Sequence, residues 1–206
     1  VANGSQNSSL GASDNTAANL VVSGGTLSYL GATAATDRAA TLGDDGANLG
    51  VASSTTTLTV NGALSGNGKL TKTGDGALVL GVANTYAGGT VVSEGALQFN
   101  NASGAGAGGI TNNGATLRLN GQIVLNNTFE FNGNCNLQLS GVGGGNVSPR
   151  GSWTGSGYVT ATFLTQNAAQ VLTIGGQGNN GGHMWDFSGT VDFGANDGFL
   201  RINNDN

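Results

Sequence analysis

The residues with acid–base or nucleophilic chemistry are few, and they are not spaced like a catalytic set. His183 is the single histidine of the 206-residue chain and follows two glycines. A serine-hydrolase triad would need this histidine beside a carboxylate such as Asp186 and near an activated serine. The Gly-x-Ser-x-Gly turn that presents such a serine does not occur in the sequence. We therefore expect His183 to be a loop residue.

The carboxylates are also poorly placed for glycan cleavage or metal binding. Asp44 and Asp45 are adjacent, so on a strand they would face opposite sides, and the flanking glycines favour a turn. Asp186, Asp192 and Asp197 follow one another too closely to match the repeat described below. A polysaccharide-active enzyme is the less favoured alternative. We expect no enzyme activity, and no catalytic, cofactor-binding or metal-binding residue.

Two further motifs have simple structural interpretations. Cys135 is the single cysteine, so it cannot close an internal disulfide, and no Lys, Arg or His flanks it to stabilise a thiolate. We expect it to be buried as a small apolar residue. The stretch 141–145 is rich in glycine, but it lacks the Lys-Ser/Thr and the helix of a phosphate-binding loop.

The composition indicates an all-β protein and excludes several classes of function. The chain has 39 glycines, one proline and 8% charged residues, which disfavours helices and charge-driven disorder. Six Lys and Arg residues within a net charge of −5 are too few for a nucleic-acid-binding surface. No apolar run in the sequence is long enough for a membrane-spanning helix, so no transmembrane segment is expected.

A short triplet, apolar–any–apolar, recurs along the chain at nearly constant spacing. It begins at Leu58, Leu78, Leu97, Leu117 and Leu137. Residues i and i+2 of a strand share a face, so both apolar ends point inward and the middle residue points outward. This short, regular period predicts stacked parallel coils, a β-solenoid of roughly ten coils forming one domain over residues 1–206. An antiparallel sandwich or barrel, with hairpins at shorter spacing, is the alternative.

One stretch, residues 66–99, carries this pattern most clearly. Its segments Leu70–Gly74, Leu78–Leu80, Asn84–Thr90 and Gly95–Gln98 closely resemble the autotransporter-associated β-strand repeat, found in the passengers of secreted bacterial surface proteins. The resemblance implies a right-handed, single-stranded parallel β-helix, export from a bacterium, and a location at the cell surface or outside the cell. It also implies a structural repeat without catalytic residues.

The charged side chains of this stretch are interpreted as surface residues. Lys69, Lys72 and Glu94 lie among glycines and threonines, and we expect all three to be solvated.

The aromatic residues are concentrated in the C-terminal coils, residues 153–206. We favour a wider core with stacked aromatic rings, or an interface. The alternative is a glycan-stacking platform, for which Trp153 and Trp185 are the best candidates. The aromatic residues are Trp153, Tyr158, Phe163, Trp185, Phe187, Phe193 and Phe199.

These observations predict that the chain is a non-enzymatic extracellular scaffold without cofactors. An uncapped β-helix exposes open strand edges at its ends, and both ends of this chain are polar and rich in Asn. We therefore expect the chain to stack head to tail on itself, which would build fibres. The alternative is a glycan-binding adhesin module. Its partners would be surface glycans or host and matrix components.

Overall fold

A computed structural model describes residues 2–140, 147–163, 171–174, 185–192 and 199–202. Within these residues, a short 3-10 helix at Ala17–Asn19 precedes a long series of strands. The strands are β1 (Val21–Val22), β2 (Thr26–Tyr29), β3 (Ala34–Thr36), β4 (Ala40–Leu42), β5 (Ala47–Val51), β6 (Thr57–Val60), β7 (Leu64–Ser65), β8 (Leu70–Thr73), β9 (Ala77–Leu80), β10 (Thr90–Val92), β11 (Ala96–Phe99), β12 (Ile110–Asn113), β13 (Thr116–Asn120), β14 (Val124–Leu125), β15 (Phe129–Asn132), β16 (Asn134–Ser140), β17 (Ser148–Pro149), β18 (Trp153–Gly155), β19 (Tyr158–Phe163), β20 (Val171–Ile174), β21 (Trp185–Phe187), β22 (Thr190–Asp192) and β23 (Phe199–Ile202).

The strands form three faces, which we call A, B and C, and each coil visits them in that order. Face B is the eight-stranded sheet β2-β5-β8-β10-β12-β15-β18-β21, and face C is the eight-stranded sheet β3-β6-β9-β11-β13-β16-β19-β22. Face A consists of the shorter sheets β1-β4-β7, β14-β17 and β20-β23. Neighbouring strands are parallel on every face. The predicted β-solenoid is therefore confirmed.

The number of turns is smaller than the sequence period suggests. Eight strands on each long face correspond to about seven turns, where roughly ten coils were expected. The reason is that the coils on both sides of the central repeat are longer than the repeat itself. The chain runs further from Ala34 to its partner Leu58 than from Leu97 to Leu117. The chain runs further from Asn136 to its partner Thr160 than from Leu97 to Leu117, and further still from Tyr158 to Thr190. At about 4.8 Å per strand, the long faces extend roughly 34 Å.

The predicted apolar column is confirmed on face C. Its five leucines are in register from coil to coil, and all of them are buried. A second buried column runs beside it, two residues later in each strand. The first column contains Leu58, Leu78, Leu97, Leu117 and Leu137, and the second contains Val60, Leu80, Phe99, Leu119 and Leu139. Each coil therefore buries its apolar side chains against the coils above and below it.

Glycines form the corner between faces B and C. Gly74, Gly95, Gly114 and Gly133 have φ values of 75°, 61°, 79° and 74°. Residues with a Cβ atom are strained in this left-handed region, and glycine is not. The corner can therefore turn sharply in each coil while the strands on both sides remain stacked.

The N-terminal end of the solenoid is partly covered, contrary to the expectation of an open end. The guanidinium of the buried Arg38 donates hydrogen bonds to the carbonyls of Gln6 and Gly11, at 3.1 and 2.7 Å. These bonds hold the first residues of the chain against the first coil. A cavity of about 350 Å³ remains beneath this segment, and Leu10 and Leu30 are among the residues that line it.

Two glycine substitutions at the B–C corner should separate backbone strain from steric clash. A Cβ on Gly95 would lie 2.5 Å from the carbonyl oxygens of Gly74 and Gly76, whereas one on Gly114 would meet no atom closer than 3.8 Å. We expect Gly114→Ala to lower the free energy of unfolding by about 1 kcal/mol, through φ strain alone. Gly95→Ala should lower it by about 3 kcal/mol or more. Urea denaturation followed by circular dichroism measures both, and equal losses would contradict this account of the corner.

Candidate functional site

Trp153, one of the two predicted glycan contacts, lies in the core. It is fully buried, and its ring centroid is 4.7 Å from that of Phe131 and 6.3 Å from that of Phe129. Its indole Nε1 donates a hydrogen bond to the carbonyl of Pro149 at 3.2 Å. In this fold the ring is closed to a sugar, so a glycan contact by Trp153 is not compatible with the structure. The packed aromatic core is the interpretation that fits this residue.

Other sequence candidates fall partly or wholly outside the described residues. Trp185 is described at its backbone, which pairs with Trp153, and its predicted glycan contact stays a prediction. His183, Asp197 and the glycines at 141–145 lie outside the described residues.

The predicted turn at Asp44 and Asp45 is present and exposed. Asn67 donates a hydrogen bond to the Asp44 carboxylate at 3.1 Å, and Ser23 donates one to the Asp45 carboxylate at 2.9 Å. Each carboxylate thus links its own coil to a different neighbouring coil. Within the described residues, no group of three or more His, Cys, Asp or Glu side chains could hold a metal ion.

Cys135 is buried, as predicted from the sequence. Its thiol Sγ donates to the carbonyls of Asn112 and Asn132, both at 3.3 Å. Burial raises the pKa of the Cys135 thiol, while hydrogen bonds with the backbone act in the opposite direction. A raised thiol pKa disfavours the reactive thiolate form at neutral pH.

Lys72 was predicted to be solvated, and that prediction is wrong. Its side chain is fully buried and occupies an inward position on face B, in register with Leu49 and Val92. The ammonium Nζ donates to the carbonyls of Thr73, Gly74 and Glu94, at 2.8, 2.6 and 3.2 Å. An ammonium group has three donors, so all three are used.

Glu94 closes the same corner from the next coil. Its carboxylate is exposed and accepts a hydrogen bond from the backbone amide of Gly74 at 2.6 Å. Burial lowers the pKa of Lys72 to about 8, although the Glu94 and Asp75 carboxylates act to raise it. Lys72 and Glu94 therefore connect two coils by hydrogen bonds at the B–C corner. Of the three residues predicted to be solvated, Glu94 and Lys69 are exposed and Lys72 is not.

Further buried polar side chains lie on the other side of the same repeat, where the chain passes from β9 on face C to β10 on face B. The Asn84 amide accepts a hydrogen bond from the backbone of Leu64 at 2.8 Å and donates one to the carbonyl of Gly104 at 2.6 Å. The Tyr86 hydroxyl and the Thr90 hydroxyl are 2.6 Å apart, and both residues are buried. Burial raises the pKa of Tyr86 well above its ordinary value. The Asn84 bonds satisfy backbone groups of two neighbouring coils, at a place where face A has no regular strand.

The outward surface offers two different polar regions. The first is a groove of about 430 Å³ at the junction of faces A and B, which we call the A–B groove. It is lined by Gly89, Thr111, Thr128, Glu130, Ser152 and Thr154, among others. In it, the Thr111 hydroxyl donates a hydrogen bond to the Glu130 carboxylate at 3.1 Å.

The second polar region is the outward surface of face C. Arg118 donates a hydrogen bond to Gln138 at 2.7 Å, and further along the axis the Tyr158 hydroxyl donates one to Asp192 at 2.6 Å. These pairs connect neighbouring coils side by side. They cover the predicted outward positions of the strands with hydrogen-bonding groups.

Comparison with known proteins identifies the central coils. A family model described as "Passenger-associated-transport-repeat" matches residues 70–99. We call residues 70–99, which are similar to this family, the passenger repeat. This passenger repeat contains Lys72, Asn84, Tyr86 and Thr90, four of the buried polar residues described above. Polar side chains within the passenger repeat therefore close its corners.

Part of the chain is also similar to a curated relative. The chain is 50% identical over 93 residues to the Adhesin BmaC autotransporter of Brucella suis biovar 1 (strain 1330). These residues are 45% of this chain and 3% of the relative, so the chain spans a small part of the relative's length. No solved structure matches the chain significantly. Across the described residues, no helix is long and apolar enough to cross a membrane.

The buried ammonium of the passenger repeat should give the protein a measurable pH dependence. The folded-state pKa of Lys72 is about 8, against an ordinary value of 10.5, so the unfolded chain binds the proton more tightly between these values. The free energy of unfolding should therefore rise by about 2 kcal/mol from pH 8 to pH 10. Lys72→Met should lack this rise.

Urea denaturation at pH 8, 9 and 10 measures the difference between wild type and Lys72→Met. The range ends at pH 10 because burial raises the pKa of Tyr86. At higher pH the unfolded chain loses the Tyr86 proton while the folded chain keeps it, which lowers the free energy of unfolding. Lys69→Met, at an exposed lysine beside the same repeat, is the matched control and should behave as wild type. Identical pH profiles for wild type and Lys72→Met would contradict the assigned burial of the ammonium.

Proposed function

We propose that the chain is a segment of the passenger of a bacterial surface protein and acts outside the cell as a non-enzymatic, adhesive scaffold. The observation that carries this proposal is the passenger repeat built into a continuous three-faced parallel solenoid. The relative at 50% identity is named an adhesin and an autotransporter, which favours the same role for this chain.

The physical properties of the solenoid suit such a role. Stability comes from contacts between neighbouring coils, so the folded structure can grow one coil at a time as a chain emerges from a membrane. No internal disulfide has to form, because Cys135 is the single cysteine and is buried. The outward residues are mostly short and polar, which leaves the faces available for contact with another surface.

Surface display of the chain tests this proposal. The chain would be fused to the translocating part of a heterologous autotransporter and produced in bacteria. We expect protease added to intact cells to reach the chain, and we expect a folded, protease-resistant core to remain. Leu97→Asp, which places a charge at a fully buried position, should abolish that resistance.

The matched control for Leu97→Asp is Gln98→Ala, at the neighbouring outward position of β11. It should leave display and resistance unchanged. Beads coated with the purified wild-type protein should adhere to cell or matrix surfaces more than uncoated beads. A chain that stays inside intact cells, or coated beads that adhere no better than uncoated ones, would overturn the proposal.

End-to-end assembly is a second candidate function, favoured by the ends of the sheets. Strands β1, β2 and β3 each have a sheet neighbour on one side only, and the same holds for β21, β22 and β23 within the described residues. Leu30 is 80% exposed and lines the apolar cavity at the N-terminal end. The segment held by Arg38 covers part of the N-terminal end, but the strands at both ends of the described sheets still lack a second neighbour. These edges, together with the exposed Leu30, favour stacking of one copy on another.

Negative-stain microscopy and light scattering over a range of concentrations test this second function. We expect wild-type rods to lengthen with concentration, because each added copy covers Leu30 and pairs the open edges. Leu30→Lys should suppress lengthening, since it places a charge in the contact. Thr59→Lys, on the outer surface of β6, is the matched control and should still assemble. Short rods of constant length at every concentration would contradict head-to-tail stacking.

A further inference from the structure

We propose that a patch on face C, centred on Tyr158, binds a neutral carbohydrate. The patch consists of the outward side chains of three neighbouring strands, Asn134, Asn136, Tyr158, Thr160, Thr190 and Asp192, and we call it the tyrosine patch. This inference rests on the adhesive role proposed above and names a surface and a class of ligand for it.

Strand register places these side chains in a grid. Asn134, Tyr158 and Thr190 are aligned from β16 to β22, and they form the first row. Asn136, Thr160 and Asp192 form the second row, two residues later in each strand. Positions two apart in a strand share a face, and neighbouring strands are separated by about 4.8 Å. The six side chains therefore cover one continuous area on the outside of face C.

The grid has a rigid backing. The residues between the two rows point inward, where Cys135 and Val159 are buried and Val191 packs against the core. Side chains placed on paired strands are held more firmly than side chains on loops. A ligand would therefore meet a preformed surface.

Tyr158 is the exposed aromatic side chain of this surface. It is 41% exposed, although aromatic residues on neighbouring face B, such as Phe131 and Trp153, are fully buried. Its hydroxyl donates a hydrogen bond to the Asp192 carboxylate at 2.6 Å, and this bond fixes the outer end of the ring across one strand spacing. An ordered, exposed ring offers apolar contact area at a low cost in conformational entropy.

The chemistry of the patch favours a neutral, polyhydroxylated ligand. The ring of Tyr158 can pack against the C–H groups of a sugar. The amides of Asn134 and Asn136 can both donate and accept hydrogen bonds, and the Asp192 carboxylate can accept them from hydroxyl groups. The patch has one carboxylate and no cationic side chain, and the chain has a net charge of −5. Anionic sugars are therefore disfavoured by charge.

The A–B groove differs from the tyrosine patch because it has no exposed aromatic side chain among its lining residues. It has hydroxyl groups and the carboxylate of Glu130, but its aromatic residue, Phe129, is buried. It therefore lacks an apolar surface on which a sugar ring could stack. This makes the groove a useful internal control.

A glycan array, followed by calorimetry on the glycans that bind, tests the proposal with purified wild-type protein. We expect binding to neutral oligosaccharides and weaker binding to their sialylated or sulfated counterparts. Tyr158→Ala should weaken binding about tenfold or more, as expected for the loss of one aromatic contact. Tyr158→Phe keeps the ring and should retain most of the affinity. Glu130→Gln, in the A–B groove, should bind as wild type, and circular dichroism should show every variant folded.

Three outcomes would overturn the proposal: no binding to neutral glycans, stronger binding to the anionic glycans, or equal binding by wild type and Tyr158→Ala. The scaffold role is tested separately, because Tyr158→Ala leaves the core intact and should not change surface display or protease resistance. Wild-type display combined with absent glycan binding would remove the tyrosine patch and leave the scaffold standing. Failed display combined with Tyr158-dependent binding would remove the scaffold role and leave the tyrosine patch as a carbohydrate-binding surface.

Discussion

Parallel stacking of coils at a separation of about 4.8 Å is the constraint on which the whole molecule depends. Each interior strand of faces B and C takes its backbone partners from the coils before and after it, and Leu97 packs on Leu78 and Leu117 in the same way. A coil alone would leave its amides and its apolar side chains in water. The corners must therefore turn without disturbing the stack, and the glycine column from Gly74 to Gly133 permits this.

The corners create a second requirement, because backbone carbonyls turn inward there and need donors. The passenger repeat meets it with long polar side chains placed inside the solenoid. Lys72 serves the carbonyls of two coils, and Asn112 serves a later corner by binding both the amide and the carbonyl of Ala115. A buried charge is tolerated when its hydrogen bonds are satisfied, and its removal leaves the partner groups unpaired. The polar interior thus stabilises the turns, while the apolar columns stabilise the strands.

Much of the fold could be predicted from the sequence, because the leucine triplets report both the strand period and the inward direction. The turn count could not, since the coils before Leu58 and after Asn136 have more residues between paired strands than the regular spacing predicts. Lys72 was misplaced although it lies two residues after Leu70 and so shares its inward direction. The charge of Lys72 favours the surface whereas strand alternation favours the interior, and the structure follows the alternation. The register between neighbouring coils aligns Trp153 with the buried Phe129, which argues for the core that the structure shows.

The side-chain hydrogen bonds between neighbouring coils also affect how such a protein can change in length during evolution. A coil of uniform height can be duplicated or deleted as a unit, and each event would alter the length by about 4.8 Å while leaving the outer faces aligned. A breakpoint between Lys72 and Glu94, or between Asn84 and Gly104, would separate partners that lie in different coils. The coils around the passenger repeat should therefore be inherited as one block, whereas gain and loss of coils should be concentrated outside it.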